Sequence, residues 1–158
     1  MKVLLVFQIC LLMLSSAAFS QQKEAVRWLN FEQLEDSLQI NPKKVFIAFY
    51  AEWCSPCLKM QREVFTDEKI TELLNTEYYA VKMDVECTDT IYFGNETYIN
   101  ERQKRRNPIH QIPLLMASRN NKPFTLPALV FLDEKFQAKA RYFKYLNVKQ
   151  LTEILEKM

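Results

Sequence analysis

Residues 46–60 read FIAFYAEWCSPCLKM, an apolar run that ends in a tryptophan and two cysteines separated by two residues. The run begins at Val45 (VFIAFY) and is rich in β-branched and aromatic side chains. That composition predicts a strand covered on both faces, as in the middle of a sheet. After Cys54 the apolar positions Leu58, Met60 or Gln61, Val64 and Phe65 recur at helical spacing. The cysteines therefore stand where a buried strand meets the first turn of a helix. Unpaired backbone N–H groups and the helix dipole favour a thiolate there, and the thiolate is the species that attacks a disulfide. Cys57 lies one turn further on, placed to resolve a mixed disulfide formed at Cys54. Pro56 suits a first turn, where its missing N–H is no loss, and Trp53 offers a flat apolar surface beside the pair. Two other readings stand beside this one. A zinc site needs about four ligands, and only Cys87 and His110 remain to supply them. A purely structural bridge between residues this close would close a small loop and stabilise little.

Outward from the pair, apolar spacing at Phe31, Leu34, Leu38 and Ile40 predicts a helix over 31–40, capped by Asn30 and ended by Asn41-Pro42. Thr66-Asp67 reads as a fresh cap before Ile70, Leu73 and Leu74. Strands are expected over 78–85, 126–132 and 138–145, with a short first strand over 26–29 and a closing helix over 148–157. Residues 90–93 and 96–99 flank Gly94-Asn95 and read as a hairpin. A short helix is expected over 109–118, with Pro113 in its first turn. Alternating strands and helices indicate an α/β fold with a central sheet, interrupted by an insertion over about 86–124. The charge run at 101–106 (ERQKRR) reads as a solvated face, or as a docking patch for an acidic partner.

The chain has 158 residues, 49% of them hydrophobic, which suits one domain with a substantial core. A net charge of +2 gives no case for nucleic acid as a partner. Gly94 is the single glycine, so a glycine-rich phosphate loop is excluded. The first twenty residues run from Met1-Lys2 through an apolar stretch to small residues at 15–18, the layout of a secretory signal peptide. Its cleavage after Ala18 or Ser20 would leave a domain over 21–158; an uncleaved leader would act as a membrane anchor. The mature chain keeps Cys54, Cys57 and Cys87, so at least one thiol has no partner within the chain. Cys87 reads as a semi-buried free thiol, or as an auxiliary thiol or the site of an intermolecular bridge. His110 pairs with no nucleophile and reads as a packing residue. Asn95-Glu96-Thr97 is a glycosylation sequon, relevant only in a eukaryotic secretory pathway.

FIAFYAEWCSPCLKM resembles the active-site strand and helix of thioredoxin-like proteins, which carry WCxxC at this junction. Leu126-Pro127-Ala128 followed by LVFLD resembles the cis-proline of that family and the strand after it. The signal peptide, VFTDEKI and the hairpin insertion are similar to exported bacterial thioredoxin-like proteins. The resemblance covers 27 to the C-terminus, least well over the insertion. It implies a thioredoxin fold, a mixed sheet flanked by helices, with a hairpin and a short helix inserted before the cis-proline strand. It implies an exported thiol–disulfide oxidoreductase in which Cys54 attacks and Cys57 resolves. Trp53, Leu126 and Pro127 would contact substrate, without metal or organic cofactor. Protein thiols and disulfides would be the substrates, and a membrane thiol-reductant carrier the electron donor. The location would be the periplasm in a Gram-negative cell, and otherwise outside the cell.

Two departures bear on mechanism. Where thioredoxin proper has a buried aspartate that assists proton transfer at the second cysteine, this chain has Ala48. Lys82 matches the lysine usually found near that aspartate and stands as proton-transfer support or as a snorkelling edge residue. The CSPC sequence resembles the reducing members more than the oxidising ones, so a reductase or isomerase is expected over an oxidase. A redox-inert module that binds polypeptides in the same groove is the alternative from another class.

Overall fold

The computed structural model describes residues 24–158. The expected signal peptide, residues 1–20, lies outside the described residues. The chain runs β1 (Trp28–Leu29), α1 (Phe31–Ile40), β2 (Lys44–Tyr50), α2 (Ser55–Glu63), α3 (Glu68–Glu77), β3 (Tyr78–Asp84), β4 (Ile91–Phe93), β5 (Glu96–Tyr98), α4 (Gln111–Ala117), β6 (Ala128–Leu132), β7 (Ala138–Tyr142) and α5 (Val148–Lys157).

Strand β2 is the centre of the molecule because both of its faces are apolar. Residues 45–49 are all buried, with Val45, Ile47 and Phe49 in one layer of core and Phe46 and Ala48 in the other. β3 pairs with it in parallel and β6 antiparallel, giving the order β1-β3-β2-β6-β7. The last two strands are antiparallel neighbours, as their closeness in sequence predicts. Helices α2, α3 and α5 supply Met60, Ile70, Leu74, Leu151 and Leu155 to the layer that holds Phe46. Helix α1 and the insertion supply Phe31, Leu34, Ile91 and Ile112 to the opposite layer. Helix α1 begins at Asn30 with a reciprocal capping box to Gln33, and Asp67 caps α3.

Several elements are shorter than their sequence pattern. Helix α2 stops at Glu63, and the N–H groups of Val64 and Phe65 both donate to the Met60 carbonyl at 2.9 Å. The two side chains are buried although Phe65 lies past the helix, so their periodicity extends the pattern into a turn. The strand expected from 126 begins at Ala128, because Pro127 offers no N–H and its cis bond to Leu126 turns the chain. β7 ends at Tyr142, opposite Leu129 near the start of β6, rather than at 145.

The insertion forms the expected hairpin and short helix. β4 and β5 are joined by Gly94 and Asn95 at φ of 63° and 62°, the left-handed pair that a two-residue turn requires. Two buried polar residues fasten the insertion to the end of β3. Asn100 Nδ2 donates to the carbonyls of Cys87 and Pro108. His110 donates its backbone N–H to Val85 at 2.8 Å, and its Nδ1 accepts from Ile112 N at 3.2 Å as the cap of α4. The imidazole proton therefore sits on Nε2, which donates to the Asp89 carbonyl at 3.2 Å.

Burial holds the His110 pKa below its ordinary value, against the pull of the Asp89 and Tyr98 carbonyls. The unfolded chain then takes up the proton more readily than the folded one. Stability is therefore full above about pH 6.5 and falls as the pH drops through that value toward the lower folded-state pKa. Chemical denaturation of His110→Asn, which keeps a cap acceptor, is expected to show a flatter pH dependence than wild type. His110→Ala is expected to lose about 1 kcal/mol at neutral pH. A His110→Asn profile as steep as wild type would remove this residue from the account.

Candidate active site

The end of β2 and the start of α2 position the cysteine pair. Ala51 is buried and its carbonyl accepts from Cys54 N at 3.0 Å, closing the turn out of the strand. Cys54 is itself the N-cap of α2, with Pro56 in the first turn. Its Sγ accepts from Cys57 N at 3.3 Å, and its carbonyl accepts from Leu58 N at 3.0 Å. A Cys54–Cys57 disulfide is present, and both residues are buried. The pair therefore sits on the N–H groups of a helix start, where negative charge on sulfur is favoured.

The other expected residues divide between two cavities. Trp53 is 67% exposed and donates its ring N–H to Glu86 Oε1 at 2.8 Å, which holds the indole beside the cysteines. Trp53 and Leu126 line a groove of about 400 Å³ whose far wall is the insertion, including Leu114, Arg102, Arg119 and Lys122. Pro127 is buried after a cis bond. It shares a much smaller cavity with Cys57, Ala48 and Lys82. Ala48 and Lys82 are register partners on β2 and β3. The Lys82 ammonium lies 5.6 Å from the Trp28 ring centre and 5.5 Å from that of Tyr50, a cation–π pocket at the sheet surface.

Glu86 and Gln61 belong to the site and escape a reading of the sequence. Glu86 pairs with Trp53 across 33 positions, which no local pattern records. Gln61 lies on α2 among apolar positions that face the sheet, and it lines the small cavity with Cys57. Its one sequence signal is a polar side chain four residues after Cys57, on the same helix face. No cluster of metal-ligating side chains occurs among the described residues.

Cys87 is a half-buried free thiol just beyond β3. Burial pushes its pKa up, and the carboxylates of Asp89 and Asp84 add to that, against a hydrogen bond from the Asp89 backbone. His110, fully buried in the insertion, is separate from the pair and serves as a cap.

A family model described as a thioredoxin-like domain matches residues 31–158. A stretch of 56 residues is 38% identical to the thiol:disulfide interchange protein DsbD of Campylobacter jejuni, covering 35% of this chain and 10% of that protein. The match thus spans about a tenth of the length of the curated relatives. Among solved structures, a thioredoxin from Thermus thermophilus superposes with a TM-score of 0.59 at 16% identity, over 85% of this chain and 87% of that one. A DsbH oxidoreductase superposes with a TM-score of 0.57 at 16% identity, over 91% and 94% of the two chains. At such identities the structural likeness shows the fold.

The contrast between a thiol at a helix start and one raised by burial makes a prediction. In the reduced protein at pH 7, iodoacetamide is expected to modify Cys54 at least about tenfold faster than Cys87, read by peptide mass spectrometry. Equal rates would contradict the electrostatic reading of the helix start.

Proposed function

The chain belongs to the thioredoxin-like family, and on that premise we propose that it is a thiol–disulfide oxidoreductase acting on protein partners outside the cytoplasm, in the reducing or isomerising direction. The single observation that carries the reading is Cys54 as the cap of α2, disulfide-bonded to Cys57 one turn away.

In the reducing direction, the Cys54 thiolate attacks one sulfur of a partner disulfide. That disulfide bond breaks, and the second partner sulfur leaves as a thiolate. Cys57 then loses its proton and attacks Cys54 Sγ. The Cys54–partner bond breaks, and the partner's first sulfur leaves as a thiolate. Two electrons have passed from the dithiol to the partner, and Cys54–Cys57 is the disulfide. No metal or organic cofactor enters this sequence. A thiol reductant, by the expectation for such proteins a carrier in the membrane, would restore the dithiol.

Partner binding is assigned to Trp53, Leu126 and Pro127. The backbone beside the cis bond would pair with an extended partner segment, and Trp53 would cover its side chains. The groove continues into the insertion, whose Arg102, Arg119 and Lys122 line it against one acid, Glu86, which is bound to the Trp53 ring N–H. That balance favours partners with acidic residues beside the reacting cysteine. Export is supported by the layout of the first twenty residues. Direction is supported by the proline before Cys57, and the interchange activity by the name of the Campylobacter relative.

Cys54→Ser is expected to abolish insulin-disulfide reduction, a fall of at least about a thousandfold to the uncatalysed rate. Cys57→Ser is expected to retain attack and to accumulate partners as mixed disulfides, with Asp and Glu enriched beside the trapped cysteines. A protein that protects unfolded clients equally well in both variants, with no catalysis in wild type, would instead be the redox-inert binding module.

A further inference from the structure

A cavity of about 10 Å³ lies against Cys57, walled by Ala48 and Tyr50 of β2, Lys82 of β3, Pro127, and Gln61 of α2. Its surface is almost wholly apolar. The exception is telling: Gln61 Nε2 is fully shielded from solvent and has no hydrogen-bond partner among the described residues. Buried polar groups without partners are uncommon because the lost hydration is not replaced. Ala48 offers only a methyl group to this space, and the Lys82 ammonium, itself a donor, lies between the rings of Trp28 and Tyr50. Besides Cys57, Tyr50 and Lys82 are the titratable side chains in the cavity wall. Burial raises the Tyr50 pKa, with Asp84 adding to it, so the phenol is neutral at physiological pH. The sulfur present here is that of a closed disulfide, uncharged and a weak acceptor.

We propose that Gln61 is a positioning residue for the redox step, its Nε2–H donating to Cys57 Sγ when that sulfur is a thiolate and losing the partner when the disulfide closes. The inference rests on the oxidoreductase reading above. The interaction is differential. A hydrogen bond to a charged acceptor is among the stronger kinds, and it exists in the dithiol state alone. Gln61 therefore favours the Cys57 thiolate before it attacks Cys54, and it biases the pair toward the dithiol. An amide does not take up the proton that Cys57 releases. It lowers the demand on whatever does, and so offsets the missing carboxylate at position 48.

The test uses Gln61→Met, similar in length but without an N–H, and Gln61→Glu. Two quantities are read: the equilibrium of the Cys54–Cys57 pair with glutathione, and the pH profile of Cys57 alkylation in a Cys54→Ser background, resolved from Cys87 by mass spectrometry. Gln61→Met is expected to shift the equilibrium about tenfold toward the disulfide, equivalent to about 30 mV for a two-electron couple. The Cys57 profile should move to higher pH. Gln61→Glu should move it at least as far, because a carboxylate opposes a neighbouring thiolate. Folded variants with both readouts at their wild-type values would overturn the proposal. So would a change in thermal midpoint with an unmoved alkylation profile, the result for a residue that only packs. If the wild-type pair never passes between dithiol and disulfide, the oxidoreductase reading fails and this inference with it. If wild type cycles and the variants match it, this inference alone fails.

Discussion

Cys54 caps helix α2, and the arrangement of the active end follows from that contact. A cap residue has extended backbone while its side chain receives an N–H from the first turn, and here the receiving atom is the reactive sulfur. The cap can form only if the chain leaves β2 at a fixed point and in a fixed direction. β2 supplies both, because it is buried on two faces and paired along its length by β3 and β6. Displacing such a strand by one residue would exchange its two core faces. The packing of Phe46 against Phe65 and Phe131 is thus a condition for the sulfur chemistry.

Two unlike cavities lie near the pair. One is an open groove between Trp53, which precedes Cys54, and the insertion, with charged residues in its wall. The other, against Cys57, is a space the size of a single water, walled mainly by apolar groups, with Tyr50, Lys82 and one orphaned amide among its lining residues. The first suits recognition of a polypeptide, whose chemistry varies. The second suits control of the sulfur's charge, which must be reproducible from one partner to the next. The insertion shapes only the first of these. It is attached through Ile91 and Ile112 in the core layer and through Asn100 and His110, which bond backbone carbonyls at 85, 87, 89 and 108.

Much of this was legible in the sequence, and what was missed has a common cause. Helices 31–40 and 148–157 were readable to the residue, the first from its Asn30 cap and apolar spacing, the second from Leu151, Ile154 and Leu155 on one side; that Asn147 caps the second is seen in the structure. The buried run at 45–50 marked the central strand, and Gly94-Asn95 marked the hairpin. The cis bond at Leu126–Pro127 followed from the resemblance rather than from any local preference. Strand ends were overestimated where pairing, which the sequence does not display, decides them, as at Tyr142. Glu86 and Gln61 went unassigned because their importance lies in what they face. Glu86 is defined by Trp53, far away in sequence, and Gln61 by the absence of an acceptor at Ala48.

The central claim is that Cys54–Cys57 is a working redox pair, proposed to act in the reducing or isomerising direction. The most direct test is its reduction potential, measured by equilibrating the protein in dithiothreitol or glutathione buffers and counting free thiols. The account predicts a value near or below about −180 mV, where reductants and isomerases lie. A value near about −120 mV, where the strong oxidants lie, would contradict that direction. A pair that never opens would contradict the oxidoreductase itself.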